Sequence, residues 1–157
     1  MADIIVYTDG SAKGNPGKGG YGIVIMSGKY RKDISVGYRL TTNNRMELLA
    51  VIVALEMIKQ PNNNVMIFSD SKYVIDSIEK KWVFGWQKKG FKGKKNVDLW
   101  RRFLKIYPLQ NVKFTWVKGH AGNVLNERVD SLAVEGAESE NLLVDEQYEE
   151  NDSAKLF

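Results

Sequence analysis

The strongest constraint on the fold is the order of two kinds of segment along the chain. Ile4-Ile5-Val6-Tyr7-Thr8 is short, apolar and rich in β-branched residues, which predicts a buried strand. Asp9-Gly10-Ser11 ends it, and the glycines from Gly14 to Gly20 predict a loop. Tyr21 to Met26 predicts a second strand. Ile34, Val36 and Tyr38 alternate with polar residues, as on a third strand with one wet face. Connections this short predict an antiparallel meander.

The period then changes. Asn44 to Lys59 predicts a helix by length and apolar content, stopped by Pro61 and Asn62-Asn63-Asn64. Val65 to Phe68 predicts a fourth strand and Val112 to Val117 a fifth. Between them lie helices over Ser71–Lys81 and Asn96–Tyr107, with an aromatic and basic segment between the two that supplies a third helix at Trp82 and Trp86. Asn126 to Ala137 predicts a closing helix. The order βββαβαααβα predicts an α/β fold: a five-stranded mixed sheet flanked by helices on both faces. The 157 residues contain no internal repeat and fit one domain.

Composition narrows the chemistry. The absence of cysteine excludes a disulfide scaffold, a thiolate metal site and a cysteine nucleophile. No apolar run approaches the roughly 18–20 residues that span a bilayer, and the first six residues do not resemble a signal peptide. The expectation is a cytoplasmic protein with no membrane association. Its net charge of +4 averages two unlike parts. Residues 1–134 hold 22 Lys and Arg against 11 Asp and Glu, whereas residues 135–157 hold one Lys against eight acidic residues. A basic body is the footprint of a polyanion binder. The acidic tail loses apolar periodicity after Leu143, which predicts frayed or disordered chain from about Asp145.

Seven lysines and no acidic residue lie between Lys80 and Lys95, interleaved with Trp82, Phe84, Trp86 and Phe91. Lysines such as Lys88, Lys89 and Lys92 neutralise phosphates, and flat rings pack on sugars or bases. The same pattern also describes a solvated basic face over core aromatics. Trp82 and Trp86 lie four apart, so one helical face can carry both.

Four carboxylates stand where a core should be. Asp9 and Asp70 each close an apolar strand. Glu47 begins a helix and shares a face with Val51 and Ala54, which turns it towards the sheet. Asp130 sits beside Val129, Leu132 and Ala133 in the closing helix. Buried carboxylates are costly unless paired or metal-bound, and an all-oxygen set favours Mg²⁺ or Mn²⁺ over zinc. Taken singly, each also fits a turn, a cap, a helix start or a surface charge, and spacing alone does not bring the four together. His120, the only histidine, lies in the loop Lys118-Gly119-His120-Ala121-Gly122. Near a metal site such a histidine can move protons. Gly14-Asn15-Pro16-Gly17-Lys18-Gly19-Gly20 lacks the Gly-Lys-Ser/Thr ending of a P-loop.

These segments together resemble type 1 ribonuclease H, and closely its compact bacterial form. The resemblance is carried by Thr8-Asp9-Gly10-Ser11, Asn15-Pro16-Gly17-Lys18-Gly19-Gly20 and Thr41-Thr42-Asn43-Asn44-Arg45-Met46-Glu47-Leu48. It continues through Ser69-Asp70-Ser71-Lys72-Tyr73-Val74, Asn96-Val97-Asp98-Leu99-Trp100 and Trp116-Val117-Lys118-Gly119-His120-Ala121-Gly122, and ends on Asn126-Glu127-Arg128 with Asp130. The motifs occur in family order over about residues 3–137.

The resemblance implies endonucleolytic cleavage of the RNA strand of an RNA–DNA hybrid, leaving 5′-phosphate and 3′-hydroxyl ends with little sequence specificity. Asp9, Glu47, Asp70 and Asp130 match the family's metal-binding carboxylates, which hold two Mg²⁺ with substrate. His120 matches a histidine that assists proton transfer and product release. Asn15, Asn43 and Asn44, with the Gly10 backbone, match contacts to 2′-hydroxyls. Thr42 and Asn96 match a pocket for a DNA-strand phosphate. Trp82 and Trp86 match a channel against DNA sugars in a basic protrusion. Leu40 stands where the family often has an arginine in the phosphate pocket, with Arg39 adjacent, and Phe91 replaces a common tryptophan. The expected organisation is a catalytic domain over residues 1–140, an acidic tail over 141–157, a monomer, and no small-molecule cofactor. A non-catalytic hybrid or double-stranded RNA binder, or another nuclease of the same superfold, is the alternative.

Overall fold

A computed structural model describes the backbone of residues 3–119 and 123–154, with side chains to residue 151. Strands β1 (Asp3–Ala12), β2 (Gly17–Ser27) and β3 (Tyr30–Thr41) form an antiparallel meander. Helix α1 (Asn43–Glu56) then leads to β4 (Asn64–Ser69). Helices α2 (Lys72–Glu79), α3 (Trp82–Lys88) and α4 (Val97–Ile106) follow, with a 3₁₀ turn at Tyr107–Leu109. Strand β5 (Asn111–Trp116), helix α5 (Val124–Glu138) and helix α6 (Glu146–Ala154) end the described chain. The sheet order is β3-β2-β1-β4-β5, with β4 parallel to both β1 and β5. Parallel neighbours need helical crossovers, and α1 and the α2–α4 segment supply them.

The apolar content of α1 explains its place. Ten of its residues are buried, including the unbroken run Met46 to Ile52. A helix apolar all round sits in the middle of a core. It lies between the sheet and α4, whose Leu99, Trp100 and Phe103 face the same core. On the opposite face, α5 packs on β2 with unusual closeness. A Cβ on Gly22 would overlap the Val129 carbonyl, and one on Gly20 would sit 2.7 Å from the Ala137 nitrogen. Glycine in a strand permits that approach.

Several boundaries differ from expectation. Asp9, Gly10 and Ser11 lie within β1 rather than ending it, because β2 keeps pairing with β1 as far as Ala12 and Gly19. The glycine-rich loop is correspondingly shorter, since Gly17 to Gly20 belong to β2. Thr42 caps α1 and Ser71 caps α2 through their hydroxyls. The largest correction concerns the acidic segment. Hydropathy predicts frayed chain from Asp145, but that residue is 8% exposed and begins a docked element. Leu143 bridges to β3 beside Tyr38, and α6 follows. Polar contacts made 100 residues away hold this segment, and local hydropathy does not register them. Among the described residues no helix is long and apolar enough to cross a membrane.

Candidate active site

The register of the parallel pair β1 and β4 builds the site. Tyr7 lies opposite Phe68, so two residues further on Asp9 and Asp70 come side by side. Helix α1 delivers Glu47 to the same place. Its carboxylate accepts the backbone N–H of Gly10, which also donates to Asp9 Oδ1 at 2.9 Å. Gly10 is required there: a Cβ would overlap the backbone of Met46 and Glu47. One oxygen each of Asp9, Glu47 and Asp70 then lies within 4.8 Å of the others.

Asp130 is half-buried on α5 and close enough to act on Asp9 by charge, but it is not one of these three. The structure therefore brings three of the four predicted carboxylates into contact and places the fourth beside them. His120 lies outside the described residues. Gly119, which precedes it, approaches the cluster: a Cβ there would meet Asp70 Oδ2 at 3.0 Å.

Burial and mutual repulsion dominate the electrostatics. Desolvation pushes the Asp9 carboxyl up to about 7, aided by the charges of Asp70 and Asp130, while hydrogen bonds from Glu47 and Gly10 oppose the rise. Glu47 is held well above the usual carboxylate range by burial, then by the charges of Asp9 and Asp70. Ionising Asp9 and Glu47 together is therefore costly, and a nearby cation would offset that cost. A hard divalent ion fits a donor set made wholly of carboxylate oxygen.

A polar groove runs beside the cluster. One cavity of about 760 Å³ lies at the N-terminal ends of α1 and α4, where Thr42, Asn44 and Asn96 line it with Lys94, Lys95 and Arg101. A smaller one of about 340 Å³ continues past Tyr73 and Trp86. Neither is lined by Asp9, Glu47 or Asp70. Asn15 and Asn43 tie the mouth together: Asn15 Oδ1 accepts from the Asn43 N–H at 3.0 Å, and Asn43 Oδ1 from the Ala12 N–H. Asn96, at positive φ, donates to the Tyr73 hydroxyl at 3.0 Å, which Trp100 Nε1 also reaches at 2.9 Å.

The aromatic and basic segment divides its work. Trp82 is 46% exposed, with the Lys80 ammonium 5.2 Å from its ring centre. Trp86, one turn later, is half-buried edge-on against Trp100 and carries Lys94 at 5.0 Å. Phe91 is buried and anchors the loop, with the Arg101 guanidinium 5.6 Å from its ring centre. Lys88, Lys89 and Lys92 are exposed. The segment thus combines exposed lysines with rings that pack into the core.

Sequence reasoning missed an ion-pair network at the start of α1. Arg45, 3% exposed, donates to Asp98 at 2.7 and 2.9 Å and to Asp145 at 2.7 and 2.9 Å. Asp145 also accepts from the buried Thr41 hydroxyl at 2.8 Å. An arginine within an apolar helix was the one available signal. Sequence reasoning also missed Trp116, whose Nε1 donates to the Asp70 carbonyl at 3.2 Å while Lys72 stands 4.7 Å from its ring centre. Arg39, adjacent to Leu40, is paired with Glu149 of α6, whose carboxylate accepts from its guanidinium at 2.8 and 2.9 Å.

Comparison with known proteins bears on this geometry directly. The RNase H family model matches residues 1–138. A ribonuclease H of Desulforamulus reducens is 51% identical over 150 residues, covering 92% of this chain and 94% of that protein. The solved structure of LC9-RNase H1, described as a type 1 RNase H with the type 2 active-site motif, superposes with a TM-score of 0.77 at 32% identity. It covers 87% of this chain and 72% of that one. LC11-RNase H1, solved in complex with an RNA/DNA hybrid, superposes with a TM-score of 0.58 at 27% identity over 85% of this chain and 96% of that one. A family match over the whole sheet and a half-identical relative of similar length agree with the carboxylate cluster built on β1, α1 and β4: the chain belongs to the type 1 ribonuclease H family.

Proposed function

We propose that this chain cleaves the RNA strand of RNA–DNA hybrids endonucleolytically at the Asp9–Glu47–Asp70 cluster. The observation that carries the reading is that cluster itself, three carboxylates in contact within a basic protein. A pure binder of nucleic acid gains nothing from anions facing phosphate, which weighs against a non-catalytic module. Ribonucleases H generally use a divalent metal. Two Mg²⁺ ions, or Mn²⁺ in their place, would be held by Asp9, Glu47, Asp70 and Asp130. When bound they supply activation of water and stabilisation of the leaving 3′ oxygen, which yields 5′-phosphate and 3′-hydroxyl ends.

The protein's own groups do the rest. The Gly10 N–H fixes the carboxylates of Asp9 and Glu47 in one orientation. Trp116 holds the backbone at Asp70, and the Ser71 cap starts α2 just after it. His120 is assigned proton transfer at the leaving group. Asn15, Asn43 and Asn44, with the Gly10 backbone, meet 2′-hydroxyls in the minor groove, which only RNA presents. Thr42 and Asn96 take a phosphate of the DNA strand, in a groove at two helix N-termini that favours anions. Trp82 and Trp86 meet DNA sugars, and Lys88, Lys89 and Lys92 neutralise phosphates. Contacts of this kind position the duplex without reading sequence. We take residues 1–140 as the catalytic unit, 141–157 as its acidic appendage, and the working state as a cytoplasmic monomer.

The test uses labelled RNA–DNA hybrid, duplex DNA and duplex RNA, each with Mg²⁺ or EDTA. Metal-dependent cutting of the hybrid's RNA strand alone is expected. Equal cutting of duplex DNA would overturn the reading.

A further inference from the structure

Helix α6 is acidic, yet among its described side chains the charged ones stay out of the groove. Glu146, Glu149 and Glu150 are all absent from the lining of the larger cavity. Glu149 is turned to Arg39 on β3. Among the described side chains, those that α6 presents to the cavity are Gln147, Tyr148 and Asn151, all neutral and able to donate hydrogen bonds. Spacings of three and four put them on one helical face. Lys94, Lys95 and Arg101 line the same cavity. Among the described residues, the only acidic one lining the cavity is Asp98, and Arg45 already holds its carboxylate. A cavity lined by these three cations and by neutral hydrogen-bond donors suits an anion.

The helix is also anchored for this position. Asp145, immediately before it, is locked by Arg45 and Thr41. The Arg45 guanidinium lies 5.8 Å from the Tyr148 ring centre, on the side where α1 begins. Thr42 and Asn96 occupy the same cavity, so its α6 wall lies next to the phosphate pocket.

We propose that Gln147, Tyr148 and Asn151 of α6, with Lys95 and Arg101, hold a second backbone phosphate of the DNA strand, adjacent to the one at Thr42 and Asn96. The acidic segment then lines the substrate groove rather than trailing as a passive tail, and Gln147, Tyr148 and Asn151 are the neutral side chains that keep an acidic helix compatible with a polyanion. This assignment rests on the hybrid-cleaving reading above. It also accounts for a pocket that lacks an arginine at Leu40: cation and donors come from α4 and α6 instead.

Charge placed at position 147 tests it. Hybrid affinity is measured by fluorescence anisotropy in EDTA, where no cleavage intrudes, for Gln147→Glu, Gln147→Lys and the charge-neutral pair Gln147→Glu with Glu150→Gln. The glutamate and the compensated pair should both weaken binding by roughly threefold to tenfold, as one like charge near a phosphate does. The lysine should tighten it, and it adds no repulsion within the acidic helix, so a folding defect cannot mimic the series. Hybrids with one DNA-strand phosphate neutralised as methylphosphonate, stepped along the strand, locate the contact. The penalty of Gln147→Glu should vanish at one position, next to the phosphate held by Thr42 and Asn96. Flat affinity across the 147 series, or a penalty that ignores methylphosphonate position, overturns the inference while wild-type cleavage of hybrid stands. Failure of the wild type to bind or cut hybrid would instead overturn the reading beneath it.

Discussion

Replacing Asp9 with asparagine should make the metal-free protein more stable while abolishing cleavage. Asp9 is 6% exposed and titrates at about 7, against 3.8 for the free side chain. Holding it ionised at high pH therefore costs up to about 4 kcal/mol. Asparagine keeps the shape, and its Oδ1 can still accept the Gly10 N–H. It also relieves Glu47, whose own ionisation Asp9 opposes. Part of the cost is met by relaxation around the site, so a gain of about 2–3 kcal/mol is expected at pH 8 in EDTA. For a chain of this length that is roughly 5–10 °C in Tm. The sign follows from proton binding. Between about pH 4 and pH 7 the folded state holds more protons on Asp9 than the unfolded state does, so wild-type stability falls as pH rises. The advantage of the variant should therefore be small near pH 4, open through about pH 5–7 and level off above. Added Mg²⁺ should narrow the gap at pH 8, because only the wild type gains from binding it. Calorimetric or circular-dichroism melts over this pH range provide the assay. A variant less stable than wild type at pH 8 in EDTA, or a difference independent of pH, would refute the account of the cluster.

Other predictions concern the site and its supports. Asp70→Asn should abolish turnover in gel assays yet leave hybrid binding nearly intact, because Asp70 serves the chemistry rather than the grip; full activity would misplace the site. Changing Lys88, Lys89, Lys92, Lys94 and Lys95 to Ala should weaken hybrid binding. It should also flatten the plot of log affinity against log salt, its slope falling by about one for each phosphate left without a lysine. Asp145→Asn leaves Arg45 with half its partners and should cost about 3 kcal/mol in urea melts, as breaking a buried pair does. Burial raises the Asp98 carboxyl but the hydrogen bonds and charge of Arg45 lower it further, so its contribution to stability is present above about pH 4 and disappears in acid. Urea melts of Asp98→Asn and wild type, compared from neutral pH into acid, should therefore converge as the pH falls.

Much of this molecule was readable in one dimension. Apolar runs of four or five residues mark β1 and β4, and the eight apolar residues Leu48 to Leu55 mark α1, because a segment buried on all sides shows itself by the length of its apolar run. Asp9, Glu47 and Asp70 stood out because each interrupts or borders such a run. The motif order carried the family. Where sequence reasoning failed, the deciding contacts join residues far apart. Asp145 belongs to a stretch with too little apolar surface to predict structure, and it is held by Arg45, 100 residues earlier. Trp82 and Trp86 share a helical period, but only the position of Trp100 decides that one is half-buried and the other exposed.

The sequence by itself therefore determined the chemistry available: oxygen ligands without thiols, a basic body, and the side chains from which a hybrid-cleaving site is made. Tertiary structure alone decided their arrangement. The β1–β4 register sets Asp9 beside Asp70, a missing Cβ at Gly10 admits Glu47, and a buried arginine docks the segment that leads into α6 beside the groove. Local sequence reports what a residue can do cheaply. Only packing reports which costly group, a buried carboxylate or guanidinium, has found the partner that makes its position tolerable.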